Sequence, residues 1–336
     1  MKPIDLRSDT VTKPSTAMLE AMIKAEVGDD VYGEDPTINK LETLAAKMLG
    51  TQAAIFCTSG TQSNLLALLA HCERGDEYIV GQQAHTYRYE GGGAAVFGSI
   101  QPQPLDFEAD GTLSLERVAQ FIKPDDFHFA RTSLLCLENT QGGRVLPLEY
   151  LKAARKFTMD KGLLLHLDGA RLFNAAVKLR VDVKEITRYF DTVSCCLSKG
   201  LGAPVGSVLC GSTDQIKKAR RWRKVLGGGM RQAGILAAAG IFALSNNIQR
   251  LCDDHDNALA LAKGLAKIDG ITIDVDTVQT NIFFADIRAD MGLLCAFLKK
   301  KGIIIDNSNR LRMVTHLDIS EQDIDDTILA FNAFFD

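Results

Sequence analysis

The sequence predicts an α/β protein in which helices cover both faces of a largely parallel sheet, followed by a smaller α+β domain. Short apolar runs rich in β-forming residues alternate with longer segments of helical period through most of the chain. This alternation is typical of parallel strands joined by helices. Beyond Ile268, strand-like runs dominate. We therefore expect a large domain over residues 1–248, including the N-terminal segment, and a small C-terminal domain over residues 249–336.

The predicted elements follow in order along the chain. In the large domain we expect strands at AAIFCTSGT (53–61), EYIVG (77–81), AAVFG (94–98), SLLCLENT (133–140), LLLHLDGA (163–170), TVSCCLS (192–198) and VGSVLCG (205–211). Helices are expected at QSNLLALLAHCERG (62–75) and LEYLKAARKFTMDKG (148–162), and helical period runs from Met230 to Ile268 with a break near 245–247. In the small domain we expect strands at ITIDV (271–275), NIFFADI (281–287), GIIID (302–306) and LRMVTH (311–316), and helices at LLCAFLKKKG (293–302) and DIDDTILAFNAFF (323–335).

Composition and charge argue against several classes of protein. Hydrophobic residues make up 46% of the 336 residues and charged residues 24%, so the chain can bury a sizeable core. The net charge of −4 argues against nucleic-acid binding, which would require a basic excess. The eight cysteines form no C-x-x-C pair, which indicates buried thiols rather than a metal site or disulfides. No apolar stretch is long enough to span a membrane, and we expect a cytoplasmic protein that does not bind membranes.

One lysine stands between an apolar run and a glycine-bounded turn, in CCLSKGLGAP (195–204). Lys199 follows a predicted strand, and functional groups of parallel α/β proteins gather beyond the carboxyl ends of the strands. A surface lysine needs no such setting, whereas a desolvated setting frees the lone pair of an amine that acts as a nucleophile. Lys199 is therefore a candidate nucleophile.

Two other predicted strands also end in polar residues. Ser59, Gly60 and Thr61 open a helix, where they form either an anion cradle or plain helix capping. Asp168 follows the run LLLHL, and a carboxylate in such a position needs a cation. Asp168 either pairs with Arg171 or holds a ring nitrogen protonated. Opposite charges about 4 Å apart interact by roughly 4 kcal/mol at a dielectric of about 20, which is enough for the second role.

Together these signals indicate a pyridoxal phosphate site. The aldehyde of this cofactor needs an amine, its ring nitrogen needs an acid, and its phosphate needs a helix N-terminus. Lys199, Asp168 and residues 59–61 supply these groups in turn. The sequence therefore predicts an enzyme that binds pyridoxal 5'-phosphate through a Schiff base on Lys199.

The chain also resembles, over nearly its whole length, the low-specificity L-threonine aldolases, a family with the aspartate-aminotransferase-like fold (fold type I) of pyridoxal phosphate enzymes. The resemblance implies retro-aldol cleavage of L-threonine, L-allo-threonine and other L-β-hydroxy-α-amino acids to glycine and an aldehyde. It also implies a homo-oligomer, with a tetramer assembled as a dimer of dimers favoured and a dimer left as the alternative. It rests on DLRSDTVT (5–12), VGDDVYGEDP (27–36), SGTQSNL (59–65), HLDGARLFNA (166–175), LSKGLGAPVGS (197–207), GGGMRQAG (227–234) and RMVTHLD (312–318).

The resemblance implies roles for individual residues. His85 resembles the imidazole that stacks on the cofactor ring, and His128 resembles a residue near the substrate side chain, the alternative being a structural histidine. Ser8, Arg171 and Arg312 are candidates for the substrate carboxylate, because arginine offers a bidentate fork that suits it. Whether His85, His128 or a water that they hold acts as the base is left open.

Three further residues are expected to lie near a subunit boundary. Lys224 and Arg231 resemble the segment that approaches the cofactor phosphate from a neighbouring subunit, and Tyr32 resembles part of an intersubunit loop at the substrate site. The chain departs from the family at Gln141-Gly142, where His-Asn is often found. A role expected of a histidine there is therefore not carried over.

Two rival functions remain open. Another pyridoxal phosphate reaction on the same fold, β-elimination or transamination, would use the same Asp168 and Lys199. A binding protein that has kept the fold without catalysis is the second rival. The intact set of Lys199, Asp168 and Arg171 argues against the second rival.

Overall fold

The structure, a computed structural model, describes residues 3–335; Met1, Lys2 and Asp336, at the outer ends of the two predicted domains, lie outside the described residues. The strands are β1 (Ile4–Asp5), β2 (Ala53–Cys57), β3 (Glu77–Gly81), β4 (Gln101–Leu105), β5 (Thr132–Glu138), β6 (Leu164–Gly169), β7 (Thr192–Cys196), β8 (Ser207–Gly211), β9 (Ile271–Thr272), β10 (Ile282–Ile287), β11 (Ile303–Ile304) and β12 (Arg310–Val314). The helices are α1 (Thr16–Ile23), α2 (Pro36–Leu49), α3 (Gly60–His71), α4 (His85–Arg88), α5 (Gly93–Gly98), α6 (Leu115–Phe121), α7 (Leu148–Lys161), α8 (Leu172–Leu179), α9 (Lys184–Thr187), α10 (Thr213–Val225), α11 (Gly234–Asn246), α12 (Leu251–Leu265), α13 (Met291–Lys300) and α14 (Glu321–Phe335). Short 3-10 turns cover Asp9–Val11 and Val275–Thr277.

Seven strands form one sheet in the order β2-β8-β7-β6-β5-β3-β4. The neighbouring pairs from β7 to β4 are parallel, and only β8 runs antiparallel to its two neighbours. Helices α2, α7 and α11 bury their apolar side chains on one face of the sheet, and α3 and α10 cover the other face. The predicted mostly parallel sheet between two layers of helices is confirmed.

One predicted strand is wrong, and two strands, β1 and β4, were not predicted. The run AAVFG forms helix α5, with Val96 and Phe97 exposed, because an alanine-rich segment after a glycine turn suits a helix and has no strand partner here. The strand position beside β3 is taken instead by β4, whose sequence QPQPL contains two prolines. Proline lacks the N–H that a central strand needs, but β4 is an edge strand that pairs on one side only.

The small C-terminal unit contains the strands and helices that its sequence predicts. Strands β12, β10 and β9 form an antiparallel sheet, and α12, α13 and α14 pack around the same apolar cluster. Ile4 and Leu6, which were assigned by sequence to the large domain, lie in this cluster, and β1 pairs in parallel with β11. The division of the chain at residue 248 stays a prediction, and its N-terminal strand lies with the C-terminal unit.

The loop after β5 holds the two units together. Gly143 has a positive φ of 89°, and a Cβ there would lie 2.4 Å from the carbonyl oxygen of Ile282, so only glycine fits this close approach. Thr280 Oγ1 donates a 2.7 Å hydrogen bond to the Gly143 carbonyl, and Val145 N donates to Gln279 Oε1 at 2.7 Å. The cleft between the units is therefore closed along one side by contacts between this loop and the segment before β10.

Within residues 3–335, no helix has both the length and the apolar character needed to cross a lipid bilayer.

Candidate active site

A cavity of about 990 Å³ lies between the two units, at the carboxyl ends of β5, β6 and β7. The large unit contributes residues that follow neighbouring strands, as expected for a sheet of this kind. The small unit and the N-terminal segment close the other side. Five residues predicted from the sequence line this one cavity: Ser8, His85, Arg171, Lys199 and Arg312. The fold thus brings together, in one cavity, five residues that the sequence predicts far apart along the chain.

Lys199 follows β7 at the base of the cavity. Its carbonyl oxygen accepts a 2.8 Å hydrogen bond from Gly202 N, which fixes the turn after the lysine. The side chain is half-buried. Among residues 3–335, its Nζ has no hydrogen-bond or ion-pair partner, so no carboxylate competes for the amine. This is the setting predicted for a lysine that reacts as a nucleophile.

Asp168, at the end of β6, is buried and does not pair with Arg171. Its Oδ2 accepts a 2.9 Å hydrogen bond from Asn64 Nδ2, and its Oδ1 accepts one from Ala170 N at 3.0 Å. Neither donor carries a charge, and among the described residues no arginine or lysine pairs with the carboxylate; the imidazole of His85 lies nearby without a hydrogen bond to it. The ion-pair alternative for Asp168 is wrong, and its negative charge remains available to a ring nitrogen.

Arg171 pairs instead with Asp9. Its Nε donates to Asp9 Oδ2 at 2.8 Å and its Nη2 donates to Oδ1 at 2.6 Å, which gives a bidentate pair in which Asp9 is fully buried and Arg171 largely buried. Burial alone would raise the pKa of Asp9, but the positive charge of Arg171 holds that pKa well below its usual range. Asp9 was not identified from the sequence, although it stands in the motif DLRSDTVT.

Two arginines of β12 lie on one face of the strand, as alternation predicts, and both line the cavity. Arg312 is partly buried, and burial together with the nearby charge of Arg171 lowers its pKa to about 10. Its Nη1 donates to the carbonyl oxygen of Arg7 at 3.1 Å. Arg310 is exposed and lies over the ring of Phe284, 5.4 Å from its centroid. Arg312 is therefore the better placed of the two to bind an anion next to Arg171.

His85 is held by two carboxyl groups that the sequence did not reveal. Its Nδ1 lies 2.8 Å from Glu90 Oε1, and its backbone N donates to Glu138 Oε2 at 2.7 Å. The hydrogen bond to Glu90 raises the pKa of the His85 imidazole, against the effect of burial. Burial and the negative charge of Asp168 raise the pKa of Glu138 to about 7. Ligand atoms of His85, Glu90 and Asp168 all lie within 4.8 Å of one another.

The candidate phosphate cradle lies at the start of α3. Ser59 Oγ caps the helix by accepting a 3.1 Å hydrogen bond from Gln62 N. A Cβ on Gly60 would lie 2.7 Å from Cys196 Sγ, so the absence of a side chain lets the helix start approach β7, three residues before Lys199. The N-terminus of α3 thus lies against the strand that carries the lysine. Both the capping role and an anion cradle are compatible with this geometry.

Lys224, Arg231 and Tyr32 form a separate cluster outside the cavity lining. Arg231 Nη1 donates a 2.9 Å hydrogen bond to Asp29 Oδ2. The Arg231 guanidinium lies 6.0 Å from the ring centroid of Tyr32, and Tyr32 is 76% exposed. The glycine segment 227–229, between Lys224 and Arg231, packs closely against α3: a Cβ on Gly228 would lie 2.2 Å from Gln62 Nε2. The cluster therefore borders the candidate phosphate cradle rather than the lysine.

His128 is not brought into the cavity of this chain. Its side chain is 67% exposed on a loop, its Nδ1 lies 2.7 Å from Asp126 Oδ1, and its ring lies 3.9 Å from that of Phe127. Neither His128 nor Asp126 lines the cavity. The predicted position of His128 near the substrate side chain stays a prediction.

The residues that are present fit pyridoxal phosphate. Lys199 offers an amine without a partner among the described residues, Asp168 a buried carboxylate that no arginine or lysine of the described chain pairs with, and α3 a helix N-terminus. The hydroxyl of Thr140, which lines the cavity, and the Nδ2 of Asn139 are buried without a hydrogen-bond partner among the described residues. Buried polar atoms of this kind are uncommon unless a ligand or water satisfies them.

The chain is similar to a family of known proteins over nearly its whole length. The sequence model of the β-eliminating lyase family matches residues 5–288. The chain is 58% identical to the low specificity L-threonine aldolase of Escherichia coli K12, over 98% of this chain and 99% of that protein. It is 45% identical to low-specificity L-threonine aldolase 1 of Arabidopsis thaliana, over 98% of this chain and 96% of the relative.

Two solved structures show the same fold at low sequence identity. The Leishmania major threonine aldolase superimposes with a TM-score of 0.85 at 21% identity, covering 99% of this chain and 100% of that one. Serine palmitoyltransferase from Sphingomonas wittichii superimposes with a TM-score of 0.78 at 16% identity, covering 98% and 86% of the two chains. The predicted aspartate-aminotransferase-like fold, fold type I, is confirmed.

Glu138 should make the stability of the cofactor-free protein depend on pH. The pKa of this carboxyl is about 7 in the folded chain, against an ordinary 4.5, so the folded state binds a proton between these values that the unfolded state has released. The free energy of unfolding should therefore fall by roughly 3 kcal/mol as pH rises through this window. Urea denaturation of Glu138→Gln should lack this contribution, because an amide does not titrate. Glu149→Gln, which removes an exposed carboxylate of α7, is the control and should keep the wild-type slope; an equal slope in Glu138→Gln would contradict the assignment.

Proposed function

The chain belongs to the β-eliminating lyase family and, within it, to the low-specificity L-threonine aldolases, and we propose that the cavity beside Lys199 is its active site. The enzyme cleaves L-threonine to glycine and acetaldehyde by a retro-aldol reaction and uses pyridoxal phosphate. The proposal extends to L-allo-threonine and other L-β-hydroxy-α-amino acids. One observation carries the site assignment: Lys199, with a free amine, shares a cavity with Arg171 and Arg312 and adjoins the buried Asp168.

When bound, pyridoxal phosphate supplies an aldehyde that captures amines and a protonated ring that accepts the electron pair of the breaking Cα–Cβ bond. We assign Lys199 to the aldehyde carbon and Asp168 to the ring nitrogen. His85 covers the ring, as the resemblance implies. Ser59, Gly60 and Thr61 bind the phosphate, with the α3 N-terminus supplying backbone N–H groups.

Two arginines are suited to the substrate carboxylate. Asp9 occupies the Nε and Nη2 atoms of Arg171, which leaves its Nη1 free of partners among residues 3–335. Arg312 uses only its Nη1, on the carbonyl oxygen of Arg7, so its Nη2 is also free within the described chain. Ser8 lines the same cavity as the two arginines. The hydroxyl of Thr10 donates a hydrogen bond to Ser8 Oγ. A carboxylate held by these groups fixes the orientation of Cα and favours the L-enantiomer.

His85 is the group best placed to take the proton of the β-hydroxyl. Its Nδ1 is committed to Glu90, which leaves Nε2 as the acceptor when the ring is neutral. Glu138 binds the backbone N of His85 and holds the ring at the cavity wall. General-base assistance of this kind typically contributes about 10²–10⁴-fold to the rate.

We also propose that the enzyme is a homotetramer, a dimer of dimers, that works in the cytoplasm. Lys224, Arg231 and Tyr32 lie outside the cavity of their own chain, near the start of α3, and we assign them to the phosphate and substrate sites of a neighbouring subunit, as the resemblance implies. Apolar side chains that adjoin this cluster are exposed, among them Val225 at 62% and Val31 at 37%. Exposed apolar surface of this kind is typical of an interface. All eight cysteines are free thiols, as expected in a reducing compartment.

The first test is the identity of the products. Wild-type protein loaded with pyridoxal phosphate should convert L-threonine to equal amounts of glycine and acetaldehyde. Lys199→Ala should lower kcat by about a thousandfold or more, whereas Lys161→Ala, on an exposed helix end, should keep the wild-type rate. Borohydride reduction and peptide mapping should place the cofactor on Lys199. Release of a keto acid in place of the aldehyde would identify elimination or transamination, and an adduct on Lys224 would contradict the site.

The second test concerns the shared site. Lys199→Ala and Arg231→Ala chains should each be nearly inactive alone. If each site takes its lysine from one subunit and its arginine from the partner, mixed dimers contain one intact site. Random exchange between equal amounts should then restore about a quarter of the wild-type activity. The measurement is activity after dissociation and reassembly, with subunit exchange verified by mass spectrometry. Full exchange without recovery would show that each site is built within one chain.

A further inference from the structure

A chain of buried polar side chains runs away from the cavity behind Asp168. It leads from Asp168 to Asn64 of α3, then to His166 of β6, Thr192 of β7 and His71 at the end of α3. Asn64, His166 and Thr192 are fully buried. None of these groups touches the cavity that holds Lys199, and the proposed reaction makes no direct use of them. Buried polar groups are costly, so a continuous set of them in a core requires an explanation.

The hydrogen bonds fix the orientation of the Asn64 amide. Its Nδ2 lies 2.9 Å from Asp168 Oδ2 and 2.8 Å from Glu90 Oε1, and both carboxylates can only accept when ionised. The amide nitrogen therefore donates both of its hydrogens, one to each carboxylate. Asn64 Oδ1 must then accept, and its partner is His166 Nε2 at 3.2 Å. The proton of His166 is thus on Nε2.

The remaining links follow the same direction. Burial lowers the pKa of His166 to about 3, so the ring is neutral and its Nδ1 can only accept, from Thr192 Oγ1 at 2.8 Å. The Thr192 carbonyl, 3.2 Å from the same Nδ1, is then a contact and not a hydrogen bond. Since the Thr192 hydroxyl donates to His166, it accepts from His71 Nε2 at 2.7 Å. Burial lowers the pKa of His71 to about 4, so this ring is neutral too.

Every donor in this series therefore points toward Asp168, and no member carries a charge. Donors in series polarise one another, so each link strengthens the next. Hydrogen bonds to the charged form of an acid favour that form. The series thus stabilises the Asp168 carboxylate without a cation that would compete with a ring nitrogen for it. An arginine at the same place would stabilise the charge but would neutralise its effect on the ring.

We propose that Asn64, His166, Thr192 and His71 are positioning residues that keep Asp168 ionised and aimed at the ring nitrogen of pyridoxal phosphate. The second hydrogen of the Asn64 amide goes to Glu90, which holds His85, so the same amide also orients the imidazole that is assigned to cover the ring. This inference rests on the role of Asp168 in the proposed function. A purely structural role would require only that these polar groups be satisfied, with no effect on the cofactor.

The test uses the protonation state of the ring nitrogen. Pyridoxal phosphate labelled with ¹⁵N in the ring is bound to the cofactor-free proteins, and its ¹⁵N chemical shift is followed between about pH 6 and pH 9. Wild type should show a protonated nitrogen across the range. Thr192→Val removes the hydroxyl at nearly constant volume and should bring deprotonation into this range. Thr192→Ser restores the hydroxyl and should restore the wild-type shift.

A second variant and a control make the result specific. Asn64→Leu removes both donors to the carboxylates and should give a largely unprotonated nitrogen, with a dissociation constant for pyridoxal phosphate about tenfold or more above wild type. Thr158→Val alters another fully buried threonine, on α7, whose hydroxyl bonds only its own helix at Arg155 O. This control should match wild type in both measurements. If Asn64→Leu does not fold, the Thr192→Val and Thr192→Ser pair decides the question.

Two results would overturn the inference, and they are distinguishable. Wild-type ¹⁵N shifts at every pH in a folded, cofactor-bound Thr192→Val or Asn64→Leu would show that the chain of side chains is only structural. An unprotonated nitrogen in wild type, or no bound cofactor, would instead remove the role of Asp168 in the proposed function and the inference with it.

Discussion

The buried ion pair between Asp9 and Arg171 is the constraint on which the site depends. It joins a 3-10 turn near the N-terminus to the residue that follows β6. Asn281, at the start of β10, adds a 3.2 Å hydrogen bond to Asp9 Oδ2, so the pair also fixes the small unit. Two charges removed from water are tolerated only when geometry and further hydrogen bonds satisfy them, and here both conditions are met. The pair leaves one edge of the Arg171 guanidinium toward the cavity, which is the edge assigned to the substrate.

The charges around Lys199 are arranged by sign. Arg171 and Arg312 lie on the side closed by the N-terminal segment and the small unit. Asp168, Glu90 and Glu138 lie on the side of the large sheet, close to His85. Crowding of these carboxyl groups and burial raise the pKa values of Glu90 and Glu138. Around Lys199, cations on one side and carboxyl groups on the other suit an amino acid whose carboxylate and amine must be held apart.

Much of this arrangement could be predicted from the sequence, since strand ends that carry Asp168 and Lys199 meet at one edge of a parallel sheet. The same reasoning could have found Glu138, which ends β5 beside Asp168. It could not find Asp9, because Arg171 lies 162 residues away and pairing between distant residues leaves no local signal. It missed β4 because prolines argue against strands unless the edge position is known. The motif match placed His128 near the substrate, but the loop conformation that decides its position is not encoded in any spacing.

The most direct test of this account is a double-mutant cycle on the central ion pair. Asp9→Asn, Arg171→Gln and the double variant are compared by urea denaturation of the cofactor-free protein at neutral pH. Each single change leaves an unpaired buried charge and should lower the free energy of unfolding by about 3–5 kcal/mol. The double change should cost much less than the sum, which gives a coupling energy of at least about 2 kcal/mol. Additivity of the two changes within about 0.5 kcal/mol would show that the pair does not constrain the structure.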